Sequence, residues 1–146
     1  MIERIVHEDR ELATILRRSH RPQGIEFLTS EDSSLQLGCM SRPAGHVIAP
    51  HVHQPVPREV CYTQEVLFIR SGRVRIDFYG DAQDYLESTV LEAGDVILLA
   101  VGGHGLEMIE PSDIVEAKQG PYVGDHDKTR FSPVGPEQLR FRGEPS

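Results

Sequence analysis

Between Gly24 and Gly120 the chain is a succession of short runs of β-favouring residues, each closed by Gly, Pro, Asp or Ser. This pattern restricts the fold more than any other feature of the sequence. The runs are "IEFLT" (25–29), "LQLGCMS" (35–41), "HVIAPHVH" (46–53), "EVLFIR" (65–70), "RVRIDFY" (73–79), "STVLEA" (88–93), "DVILLA" (95–100), "GLEMIE" (105–110) and "DIVEAKQ" (113–119). "RSGR" (70–73) reads as a hairpin, "YGDAQDY" (79–85) as a polar connection and "EPSD" (110–113) as a tight turn. Strands at this spacing, with no helix-period segment between them, predict an all-β antiparallel sandwich or barrel.

The flanks read differently. Ile5, Leu12, Ile15 and Leu16 fall near one face of a helical wheel, so residues 4–18 are expected to form a short amphipathic helix, stopped by "SHRPQG". Past Gly120 the prolines Pro133, Pro136 and Pro145 and several charges predict an irregular tail. The organisation expected is an N-terminal helical segment (1–24), one β domain (25–124) and a tail (125–146). A chain of 146 residues can bury a core without disulfides. Its two cysteines, Cys39 and Cys61, are read as free thiols. The charged N-terminus lacks the apolar centre of a secretory signal, and no apolar run is long enough for a membrane span, so a cytoplasmic address is expected. A net charge of −8 argues against nucleic acid and anionic lipid as partners, and leaves a small molecule as the expected one.

The chemistry centres on "APHVHQP" (49–55). In an extended strand residues i and i+2 share a face, so His51 and His53 would converge there, and neutral imidazoles are good ligands for divalent transition ions. Glu65 opens an apolar strand, where a carboxylate is costly unless it is paired, bound to a metal or turned to solvent. "GDVILLAVGGHG" (94–105) runs an apolar strand into a glycine-rich turn and then His104. The same histidines could also line a polar pocket without an ion.

In order and type these residues resemble the two motifs of the cupin superfamily. Gly45, five residues, His51-x-His53, a gap, Glu65, six residues and Gly72 parallel the first motif. Gly94-Asp95, an apolar strand, Gly102 and His104 parallel the second. The resemblance implies a double-stranded β-helix, a jelly-roll-like barrel, over roughly residues 34–120. It also implies His51, His53, Glu65 and His104 as ligands of one divalent transition metal ion, with Fe, Mn, Ni, Co and Zn not distinguished. The chain departs from the pattern in three places. The gap from His53 to Glu65 is eleven residues, which makes 54–64 an insertion and Glu59 a rival ligand. Ala100 stands where the second motif has proline, and Met108 where it often has asparagine. Lys118, Gly120, Pro121 and Tyr122 further resemble the C-terminal end of the small WbuC-type cupins of lipopolysaccharide-sugar clusters, implying a sugar-related context.

Alternation from Glu65 predicts Leu67 and Ile69 on its face, giving an apolar site with few polar groups. Arg70, Arg73 and Arg75 are read as solvated charges around the hairpin, and Tyr62 and Tyr79 as proton-transfer candidates only if turned inward. His7, His20, His46 and His126 are read as exposed or strand-edge residues. The function expected is a metal-dependent isomerase, epimerase or dioxygenase acting on a small polar molecule. The alternative is a non-catalytic ligand-binding or sensor protein. A homodimer is expected in either case.

Overall fold

The structure, a computed structural model, describes residues 1–143; the last three residues of the expected tail lie outside them. Among these residues ten strands form three antiparallel sheets, none closed into a barrel. They are β1 (Ile2–His7), β2 (Arg10–Leu16), β3 (Ile25–Phe27), β4 (Gly38–Met40), β5 (Glu65–Ser71), β6 (Arg73–Tyr79), β7 (Tyr85–Glu92), β8 (Val96–Leu99), β9 (Gly103–Met108) and β10 (Asp113–Lys118). The large sheet has the order β1-β2-β8-β5-β10, the smaller one β7-β6-β9, and β3-β4 pair alone.

Strand alternation explains the layering. Leu67 and Ile69 of β5 and Ile97 and Leu99 of β8 point to one face, where they meet Val74, Ile76 and Phe78 of β6 and Leu91 of β7. The large and small sheets therefore share one apolar core. Val66 and Leu98, one residue out of phase, point to the opposite face and pack under Leu28 and Leu37, which flank the β3–β4 pair. That second cluster fixes the small hairpin over the outer face of the large sheet.

The predicted N-terminal helix is corrected to the β1–β2 hairpin. Ile5 pairs with Ala13, and β2 pairs with β8, so this segment is an integral part of the large sheet. The β-branched residues Ile2, Ile5, Val6, Thr14 and Ile15 favour strand, and burial of Leu12 to Ile15 on both faces of the sheet outweighs the helical spacing. The two-residue turn is made by Glu8 and Asp9, both at positive φ (48° and 59°), where the usual Asn-Gly signal is missing.

Two further expectations change. "RSGR" does not close a hairpin: β5 and β6 belong to different sheets, and Ser71-Gly72 is a corner between them. Gly72 sits at φ +80°, where a Cβ would stand 2.3 Å from the Pro111 carbonyl oxygen of the second corner, "EPSD". "HVIAPHVH" forms no strand, and 41–63 is exposed throughout. Pro43, Pro50, Pro55 and Pro57 supply no N–H to a ladder, and their spacing leaves no stretch long enough to pair.

Among the described residues the tail contains two 3₁₀ turns, Gly124–Asp127 and Pro136–Gln138, and returns along β7, where Ser88 bridges Phe141. Among the described residues no helix is long and apolar enough to cross a membrane.

Candidate functional site

Glu65 and His104 come together at one end of the shared core, from opposite sheets. Glu65 opens β5 of the large sheet and pairs with Leu99 and Lys118. His104 lies on β9 of the small sheet, opposite Phe78. The glycine-rich turn before it, with Gly102 at φ +77°, packs against the Tyr79 carbonyl and the Leu12 side chain and leaves no room for a Cβ. The His104 Nε2 to Glu65 Oε2 distance is 3.2 Å, and Lys118 Nζ lies 4.0 Å from Glu65 Oε1. Glu65 is buried. The His104 imidazole beside it holds its carboxyl below the usual carboxylate range; burial opposes this, and Lys128 and Lys118 add to it.

The pair borders a cleft of about 600 Å³ that also takes in Thr63, Lys128, Arg130 and Phe131. Tyr79 is turned inward, its hydroxyl accepting a 2.9 Å hydrogen bond from the Val134 N–H and its ring edge-on to Phe131. Tyr62 is exposed. Of the three hairpin arginines, Arg75 departs from the solvated reading. It binds Asp77 through Nε (2.8 Å) and Nη2 (3.0 Å), and that carboxylate raises its pKa above the usual guanidinium value.

His51 and His53 stand on the exposed 41–63 segment, with ring centroids 5.2 Å apart. Hydrogen bonds from residues 42–62 stay within the segment: His46 N–H to Pro43, His51 Nδ1 with the Ala49 carbonyl, and Arg58 to Val56. Glu59, the rival ligand, is exposed on the same segment. No three of His51, His53, Glu65 and His104 lie within 4.8 Å of one another. The donor types suit a divalent transition ion. Their positions supply half of a centre, Glu65 with His104, and leave the histidine pair apart from it.

One group of three donors is gathered among the described residues, and it is a different one: His20, Glu26 and Cys39, with ligand atoms within 4.8 Å of one another, a set that could hold a metal ion. Glu26 and Cys39 face each other across β3 and β4. His20 enters from the turn after β2, its Nε2 2.8 Å from Glu26 Oε2. Glu26 Oε1 accepts the Gln23 N–H at 2.8 Å, and this bond, with His20, lowers the Glu26 pKa. Burial, then the Glu26 carboxylate, raises the Cys39 thiol pKa. Sequence reading missed this group. His20 was expected to be an exposed loop residue, and nothing periodic links positions 20, 26 and 39. Only the pairing register of a short hairpin unites them.

The class the structure defines is a two-layered antiparallel β protein with an acid–imidazole pair between its sheets. No family model matches the chain, and no curated protein or solved structure matches it.

Proposed function

We propose that the chain is a cupin-type metal-binding protein acting on a small polar molecule at the cleft that Glu65 and His104 border. The observation that carries this reading is the buried Glu65 carboxylate held 3.2 Å from His104 between the two sheets. Glu65 and His104 are the preassembled donors; His51 and His53 are brought by the 41–63 segment, whose C-terminal end enters the cleft at Thr63, bonded to Asp127 at 3.2 Å. A bound divalent ion would supply Lewis acidity there. Lys128 offers charge for an anionic group on the substrate, with Arg130 engaged by Asp125 at 3.2 Å and Glu116 and Asp127 on the same lining, while Phe131 and Leu106 give apolar contact. Isomerisation, epimerisation or oxygenation of such a molecule, in a sugar-related context, is the activity class that goes with this reading.

A second reading is favoured by one observation, the separation of His51 and His53 from the pair. It makes the cleft a metal-free binding site for a small anion, without catalysis. Titration with Mn(II), followed by loss of the free-ion EPR signal, separates the two. Hard oxygen and imidazole donors suit Mn(II), whereas the thiolate cluster does not. The first reading expects one ion per chain, lost in His104→Ala and in His51→Ala/His53→Ala. Absence of uptake of Mn(II) by the native chain, and of Fe(II), Co(II), Ni(II) and Zn(II) by Cys39→Ser, favours the second. A homodimer belongs to the proposal. Exposed Val47, Val52 and Val56 on the segment, and Phe68 beside Val115 next to the β10 edge, are the apolar surface it would cover. Light scattering after size exclusion tests it.

A further inference from the structure

We infer that His20, Glu26 and Cys39 form a zinc-class metal site that staples the β3–β4 hairpin to the turn leaving β2. This site is separate from the cleft and does not depend on the function proposed for it.

Three observations carry the assignment. The first is donor chemistry: an imidazole, a carboxylate and a thiol are all zinc ligands, and the thiol selects against the harder Mg, Ca and Mn ions. The second is geometry. Tetrahedral zinc, with Zn–N near 2.0 Å and Zn–S near 2.3 Å, spaces its ligand atoms by roughly 3.3–3.7 Å. The three donor atoms already fall within 4.8 Å of one another, so small side-chain rotations close the site. The third is preorganisation. The Gln23 N–H engages one Glu26 oxygen and leaves the other facing His20. The turn itself is held at both ends, by the His20 N–H on the Arg17 carbonyl (2.8 Å) and the Ser41 N–H on the Gly24 carbonyl (2.7 Å). Outer bonds of this kind are what orient ligands in built metal sites.

The staple has mechanical work to do. β3 and β4 are three residues each, and a pair that short is marginal on its own. As the metal–sulfur bond forms, the thiol proton leaves to solvent, and the fourth position is taken by water.

The test uses the native chain and its own internal control. Cys39 is half-buried in the cluster, and Cys61 is exposed on the 41–63 segment. Alkylation of each thiol is followed by peptide mass mapping with and without Zn(II). The expected result is that Zn(II) slows Cys39 strongly and leaves Cys61 unchanged. Equal slowing of both thiols, or no slowing of either, overturns the proposal. Co(II) substitution gives a second readout, a near-ultraviolet thiolate-to-cobalt band. That band should vanish in Cys39→Ser, weaken in His20→Ala and persist in His51→Ala/His53→Ala. Its persistence in Cys39→Ser overturns the site. Its loss only in the His51/His53 variant transfers the metal to the segment and equally overturns it. Mn(II) uptake at the cleft stays intact in Cys39→Ser, so failure here and failure of the proposed function are told apart.

Discussion

The strands that hold Glu65 and His104 and the segment that holds His51 and His53 lie side by side in the sequence but are built on opposite terms. From Glu65 onward the strands pair into sheets, and the inward residues Leu67, Ile69, Val74, Ile76 and Phe78 are almost wholly buried. From Ser41 to Thr63 nothing is buried and no residue pairs in a sheet. Burial assigns each strand residue one position, because a slip of one residue would turn a whole apolar set to water. The segment has no such constraint. His51 is held by a bond to the Ala49 carbonyl two residues away, and the ligand chemistry of the pair says nothing of where it rests.

The contrast is sharpest for large side chains. Phe78→Ala, at 1% exposure, is expected to cost about 4 kcal/mol by denaturant unfolding, whereas Val52→Ala, at 76% exposure, changes stability by less than about 0.5 kcal/mol. A sizeable cost for Val52→Ala would show that the segment is packed after all.

Next come two glycines, both at positive φ. Gly72→Ala meets the Pro111 carbonyl oxygen at 2.3 Å and is expected to cost about 3 kcal/mol, backbone strain and steric clash combined. Gly45→Ala, at φ +83° with nothing within 4 Å, carries the strain alone, about 1 kcal/mol or less. Thermal unfolding of the two variants measures the difference. Equal losses would erase the distinction between corner and segment.

The smallest effect concerns charge. The folded-state pKa of Glu65 is lowered, so its stabilisation is present above the ordinary carboxylate value, about 4.3, and is lost as pH falls through the lower folded value. Glu65→Gln should therefore reduce stability near neutral pH by about 1 kcal/mol and flatten the acid limb of the stability–pH curve. Glu59→Gln, on the exposed segment, is the companion and should change stability near neutral pH by less than about 0.5 kcal/mol. An unchanged acid limb in Glu65→Gln would remove the pair from the folded state's electrostatics.

The same contrast explains what could be read from the sequence. β5 to β10 were legible because their β-favouring runs and their Gly, Pro and Asp stops belong to local chemistry. Within that region the corner at Gly72 was mistaken for a hairpin, since a turn between sheets and a turn within one use the same residues. β1 and β2 were hidden because Glu8 and Asp9 carry no turn signal and Ile5, Leu12 and Ile15 happen to fit a helical period. "HVIAPHVH" misled in the other direction: its apolar and β-branched residues suit a strand, but the flanking prolines deny it partners. The juxtaposition of Glu65 with His104 depends on how two sheets stack, and that of His20 with Cys39 on a three-residue register. No spacing in a single sequence encodes either.

The pairing of β2 with β8 has a consequence for synthesis. Ala13 pairs in register with Leu99, and the Ala100 N–H beside it donates to the Leu12 carbonyl at 2.8 Å, partners the ribosome delivers long after the first hairpin has emerged. Until then the inner edge of β2 is an open template beside apolar side chains, the kind of surface that recruits other chains. The yield of native protein should therefore depend on how quickly β8 arrives, and coexpressed chaperones should matter most during that interval.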